Sequence, residues 1–219
     1  MPLADHHRDM LHASAIKDEV IEARGYRSVD ADELEELGFS KWQCRMGLLI
    51  PHHGVGGEIR DPELRPDEPR IGKTSGKAIK YESPYGSANF LDVNPLMAGE
   101  ISKPRTVIFI TEGAKKVDSL ASHDITAIGL KGVWGWRGKN KDGGSTTLPD
   151  WEELAIKGNR FVIAFDNDIF SNPMVNEAVR RLKQWLLYRK ADSVRVLLLP
   201  HDGTEKMGVD DWLASMQKV

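Results

Sequence analysis

The chain has 219 residues, 40% of them hydrophobic and 29% charged, with 20 Gly and 11 Pro; these are globular proportions and exclude a mainly disordered or fibrous chain. Thirty Lys and Arg stand against 33 Asp and Glu, a net charge of −3, so the protein is no polycation, and no stretch approaches the roughly 18 apolar residues that cross a bilayer. Met1–Met10 is polar where a signal peptide is apolar, and the single cysteine, Cys44, excludes an internal disulfide and a cysteine-based zinc site; a cytoplasmic protein without membrane contact is expected.

Met1–Ser40 carries ten acidic and four basic residues. Ile16, Val20 and Ile21 at helical spacing predict a helix over Ser14–Arg24 that Gly25 stops. Asp30, with Glu33 three residues on, predicts a capping box for a second helix ended by Gly38. Residues 1–45 thus read as a helical segment that packs on a core. Met46–Pro51 (MGLLIP) reads as a buried strand, and the Gly/Pro-rich stretch Gly54–Pro84 as irregular β-structure with long loops. Within it Arg70–Lys80 holds four basic residues and no acidic one, a local positive charge suited to a polyanion. His52 and His53 are adjacent, so in an extended chain they face opposite ways and read as structural or surface residues. Val93–Pro104 reads as a Pro-rich linker, which makes residues 46–102 a smaller, basic, mixed α+β subdomain rich in β-structure.

From Lys103 strands and helices alternate. Thr106–Thr111, Ile125–Leu130, Arg160–Phe165 and Val194–Leu199 are apolar runs of strand length. Gly113–Ser122, Pro149–Ile156, Asn172–Lys190 and Val209–Met216 are predicted as helices, the third with Val175, Val179, Leu182, Leu186 and Leu187 on one face. Continuous apolar strands between amphipathic helices predict an α/β domain over 103–219, a parallel sheet covered on both faces. Its chemistry is expected beyond the carboxyl ends of the strands.

Those ends carry carboxylates. Glu112 follows the first strand, Asp166 and Asp168 the third, and Asp210 and Asp211 come after the fourth. Right-handed crossovers put these ends on one edge, where Glu112, Asp166 and Asp168 need a cation to coexist. Oxygen ligands without cysteine or a histidine cluster favour Mg²⁺ or Mn²⁺. Asp210 is a further ligand candidate, although the Asp210–Asp211 pair also sits where it can cap a helix.

The strand TVIFITEG with Glu112, the helix AKKVDSLAS, the strand ITAIGLKG, FVIAFDND with Asp166 and Asp168, and VRVLLLP followed by GVDDWL resemble a TOPRIM domain, the metal-binding fold of bacterial-type primases, topoisomerases and some nucleases. More narrowly, the chain is similar to a poorly characterised TOPRIM-like family of phage and plasmid replication proteins, often found beside a superfamily 3 helicase. Gly57–Arg60 and Lys80–Pro84 resemble the basic subdomain that lines the template channel in primases. The single cysteine offers no zinc spacing of the kind in the primase zinc-binding module, and the loop Gly132–Leu148 is longer than a plain crossover needs.

The resemblance implies a primase-type nucleotidyltransferase core that uses Mg²⁺ (or Mn²⁺), a single-stranded DNA template and nucleotides, with a replicative helicase acting in trans. Glu112, Asp166 and Asp168 would be catalytic, and with Asp210 would hold the metal. Arg60, Lys77, Lys80, Lys115, Lys116, Lys131, Trp136 and Arg137 would contact nucleic acid, Trp136 by stacking on bases from an exposed position. A TOPRIM nuclease and a non-catalytic nucleic-acid-binding module that recruits a helicase are the competing readings. The enzymatic readings require Glu112 to face the Asp166/Asp168 pair across an open gap; a salt-bridging lysine that already fills the gap leaves only a binding scaffold.

Overall fold

The computed structural model describes residues 1–73, 76–200 and 206–217. The chain opens with two short helices, α1 (Asp5–His12) and α2 (Asp18–Arg24). The helix expected from Ser14 starts later because Ala15 is left-handed, with φ 57°, a conformation that interrupts a right-handed helix. Gly25 ends α2 as expected, at φ 80°. Strand β1 (Arg27–Val29), absent from the sequence reading, leads into α3 (Ala31–Glu36). Asp30 caps α3 by accepting the Glu33 N–H, but the Glu33 carboxylate pairs with Arg27 and leaves the box half-formed.

Strands β2 (Gly47–His53) and β3 (Ile59–Pro66) complete an antiparallel sheet of order β1-β2-β3. After it the chain is irregular, held by isolated bridges such as Leu64–Glu82 and Ile71–Ala78. The segment expected as a linker is packed instead. It forms a 3-10 turn (Pro95–Met97) and α4 (Ala98–Ile101), and Val93 and Ile101 lie in the main core. Just before it, Asp92 and Gly129 exchange two backbone hydrogen bonds.

The second half holds β4 (Val107–Glu112), α5 (Ala114–Ala121), β5 (Ala127–Leu130), a hairpin of β6 (Arg137–Lys139) and β7 (Ser145–Thr147), β8 (Arg160–Ile163), α6 (Pro173–Tyr188), β9 (Ser193–Val196) and α7 (Val209–Met216). Strands β5, β4, β8 and β9 form a parallel sheet in that order, the architecture expected. Pro149–Glu153, expected as a helix, is only a 3-10 turn, and the hairpin was not foreseen. Ile108 and Ile110 face one core with Phe161, Ile163 and the α6 residues Val179, Leu182 and Leu186. Phe109 faces the other side, with Val117 and Leu120 of α5 and Val209 and Leu213 of α7. This alternation gives a strand buried on both faces.

The N-terminal helices are part of the same packed body. Leu11, Val20 and Ile21 meet Leu48 and Ile50 of β2 and Ala114 and Ala121 of α5. Arg24 is wholly buried, pairing with Asp118 of α5 and with Asp92, each at 2.6 Å.

Candidate active site at the strand ends

Strand β4 delivers Glu112, and Gly113 then turns the chain into α5 at φ 79°, a region that glycine enters without the strain a side chain would meet. That turn sets Lys115 and Lys116 in the first turn of α5. Beyond β8, Asp166 sits directly at the start of a 3-10 turn (Asn167–Phe170). The start of α7 closes the third side. Asp211 caps it by accepting the Gly208 N–H, which leaves Asp210 for the cavity. Gly208 keeps this point open, since a Cβ there would crowd the ends of the Lys116, Asp210 and Asp166 side chains and force them to shift.

Glu112, Asp166 and Asp210 border one cavity of about 590 Å³, together with Lys80, Lys115, Lys116, Lys131, Lys206 and Arg65. Carboxylates at the parallel-sheet edge thus face cations from α5, from β3 and from the irregular segment after it. Burial, reinforced by the Asp166 carboxylate, raises the Glu112 pKa despite Lys116 and Lys206. Burial likewise raises Asp210 and lowers Lys115 and Lys131. Burial also opposes the charge on Lys116, but Asp166 outweighs it and its pKa is raised.

The gap among the carboxylates is not open. Lys116 Nζ stands 2.8 Å from Asp166 Oδ1, and Lys206 Nζ bridges Asp166 and Asp168 at 3.1 and 2.9 Å. Asp168 is not among the residues that border the cavity. Among the described residues, Glu112, Asp166 and Asp168 do not bring three ligand atoms within 4.8 Å of one another. The expected closed triad is corrected to carboxylates with interleaved lysines, because neutralisation by ammonium groups is the local answer to clustered negative charge. The donor chemistry still suits a hard divalent ion. All four carboxylates offer oxygen, and the buried Oδ1 atoms of Asp168 and Asp210 have no hydrogen-bond partner, a deficit that a metal or an ordered water satisfies.

Of the residues expected at nucleic acid, Lys80, Lys115, Lys116 and Lys131 reach this cavity. Lys131 is held by the Ser83 and Ser87 hydroxyls at 3.2 and 2.9 Å and lies over the Phe90 ring. Arg60 does not reach it; it pairs with Glu58 and Asp150. Lys77 is exposed outside the lining. Trp136 is corrected most sharply. It is 4% exposed, its ring 5.6 Å from that of Trp185, and its carbonyl accepts the Trp151 indole N–H. The ring expected in solvent is a core residue because α6 and the 3-10 turn before β8 close over it. Arg137 stacks on the half-buried Trp134, 4.3 Å from its centroid. His52 is structural, as read, buried and bonded to Asp92 at 2.9 Å.

Sequence reasoning missed Arg65 and the role of Lys206. Arg65 shares a face of β3 with Glu63, two residues away, both bordering the cavity, and donates to the Tyr81 hydroxyl at 2.9 Å, so strand periodicity was the available signal. Lys206 stands two residues before the quoted GVDDWL and becomes a counter-ion only where the folded chain brings it to Asp166 and Asp168.

Residues 100–218 match the family described as a domain of unknown function, DUF3854. No curated protein matches the sequence. Among solved structures, the zinc-binding and RNA polymerase domains of the Aquifex aeolicus primase align with TM-score 0.63 and 14% identity over 98% of this chain and 54% of theirs. The E. coli primase catalytic core aligns at 0.61 and 17% over 98% of this chain and 70% of its own. A DnaG primase catalytic domain bound to ssDNA aligns at 0.62 and 16% over 100% of this chain and 70% of its own. The chain spans about half the length of that two-domain Aquifex chain, and the fold it shares with these structures is that of DnaG-type primase catalytic cores.

Proposed function

We propose that this chain, which belongs to the DUF3854 family, is a primase-type nucleotidyltransferase core that joins nucleotides on a single-stranded DNA template. The observation that carries this reading is one cavity in which Glu112, Asp166 and Asp210 face Lys80, Lys115, Lys116, Lys131, Lys206 and Arg65. Phosphoryl transfer asks the protein mainly for alignment and charge, and this cavity supplies both signs at one sheet edge. The ssDNA-bound structure of the same fold supports a single-stranded template as partner.

Asp166, Asp168 and Asp210, with Glu112, would hold Mg²⁺ or Mn²⁺, which when bound neutralises charge developing on the phosphates. Lys206, its side chain 58% exposed but its partners Asp166 and Asp168 only 9% and 24% exposed, would have to leave these largely buried carboxylates before a metal binds, the metal then taking over the charge that the lysine neutralises. Lys115 and Lys116 present positive charge at the start of α5, where the helix N-terminus adds its own. Glu112, raised by burial and by Asp166, is suited to hold a proton near the reacting oxygens. A phage or plasmid replication system, with a helicase in trans, is the setting that fits such a core.

One observation favours a second reading, a non-catalytic nucleic-acid-binding module: Lys116 and Lys206 already fill the gap at Asp166 and Asp168, so priming requires that a metal or the substrate displace them. The test is incubation with Mg²⁺ or Mn²⁺, labelled nucleotides and single-stranded template, beside Glu112→Gln and Asp166→Asn. New oligonucleotides lost in both variants support priming, and template shortening lost in both supports a nuclease. Equal template binding with no product in any sample leaves the module.

A further inference from the structure

We propose that His6, His7 and Asp67 form a separate metal site, for Zn²⁺ or a similar borderline divalent ion, that clamps the first helix to the end of β3. The two histidines lie on α1, and Asp67 follows directly on β3 (Ile59–Pro66). His7 Nε2 is 2.8 Å from Asp67 Oδ1, and His6 Nε2 is 3.6 Å from the same oxygen. Among the described residues this is the one group of three or more His, Cys, Asp or Glu whose ligand atoms all lie within 4.8 Å of one another.

The geometry is close to what zinc needs. Tetrahedral ligands at about 2.0–2.1 Å from the ion stand about 3.3 Å apart, so the observed separations need only small side-chain adjustments. Two imidazole nitrogens and one carboxylate oxygen select zinc over magnesium, which prefers all-oxygen shells. The site also has an outer partner of the kind metal-bound imidazoles use. His7 Nδ1 lies 2.8 Å from Ser28 Oγ, and that oxygen is itself fixed by the Ala4 N–H at 2.8 Å. Three protein ligands leave a fourth position, and a cavity of about 410 Å³ touching His6, His7 and Asp67 gives it room for water. Arg65 and Lys80 border this cavity as well as the first one, so a bound ion would brace the wall that carries them.

This inference stands apart from the nucleotidyltransferase reading and is tested separately. Untagged full-length protein is stripped with chelator, given Zn²⁺ and desalted, and its metal content is measured. One equivalent of zinc is expected in the wild type and in Glu112→Gln, with at least a tenfold loss in both His6→Ala and Asp67→Asn. His6 is exposed, and metal-free melting curves establish that each variant folds. Co²⁺ in place of Zn²⁺ gives the visible absorption of a tetrahedral site in the wild type and in Glu112→Gln, and not in His6→Ala or Asp67→Asn. Zn²⁺ at a hundred times its Kd raises the wild-type melting midpoint by roughly 5–10 °C. Retention of no zinc by the wild type, equal retention by the His6 and Asp67 variants, or loss in Glu112→Gln overturns the site.

Discussion

The ammonium of Lys206 lies 2.9 Å from Asp168 Oδ2 and, from the same position, 3.1 Å from Asp166 Oδ2. One flexible side chain therefore neutralises two aspartates that the strand end puts side by side. Its pKa is raised; burial works against the charge, but the two aspartates outweigh it.

A counter-ion of this kind competes with a divalent cation. Lys206→Met is expected to bind Mn²⁺ at least about fivefold more tightly, since an exposed pair is worth up to about 1 kcal/mol and these carboxylates are largely buried, and to incorporate nucleotides more slowly. Titration calorimetry with Mn²⁺ checks the first part, and unchanged or weaker Mn²⁺ binding would refute competition at these aspartates.

The cavity separates two arginine or lysine roles that look alike in sequence. Lys80 borders it, whereas Arg60 is committed to Glu58 and Asp150. Lys80→Ala should weaken single-stranded DNA binding and lower the slope of log K against log salt by about 0.7, the contribution of one phosphate contact. Arg60→Ala should leave that slope unchanged. Fluorescence anisotropy over a salt series distinguishes them.

Arg24 and Asp118 are both fully buried and 94 residues apart in sequence. Asp118 also accepts from the Tyr26 hydroxyl at 2.6 Å and from Asn94 Nδ2 at 2.8 Å. Removing Asp118 leaves the buried Arg24 with only Asp92 to balance it and strands the Tyr26 and Asn94 donors, and breaking a buried pair typically costs about 3–5 kcal/mol. Asp118→Ala should therefore lower the urea midpoint severely, while the double change Arg24→Met with Asp118→Leu should cost less than the two single changes summed. Additive losses would refute the coupling.

Burial alone would raise the Asp92 carboxyl, but Arg24 and His52 outweigh it and hold the pKa at about 2, against an ordinary value of 3.8. A depressed carboxylate contributes stability that is complete above the unfolded value and is lost as pH falls through the folded one. The unfolded chain binds more protons in that window, so stability rises with pH there, by about 2 kcal/mol in all. Urea unfolding between pH 5 and about 2 should show this slope in the wild type. Asp92→Asn, if it folds, should lack this contribution.

Much of this was legible in the chain. The apolar runs of β4, β5, β8 and β9 announce a parallel sheet because strands buried on both faces have no polar positions to alternate. Glu112 and Asp166 are legible for the same reason, since whatever follows such a strand lies at one edge of the sheet. Tertiary structure decided what surrounds them. Lys116 and Lys206 enter the acidic gap, Arg65 arrives from a different sheet, Trp136 is covered by α6, and His6 and His7 meet an aspartate sixty residues away. Hydrophobic period is a local property of the backbone, so sequence carries it; pairing between distant side chains depends on where the packed elements bring them, and only the folded chain states that.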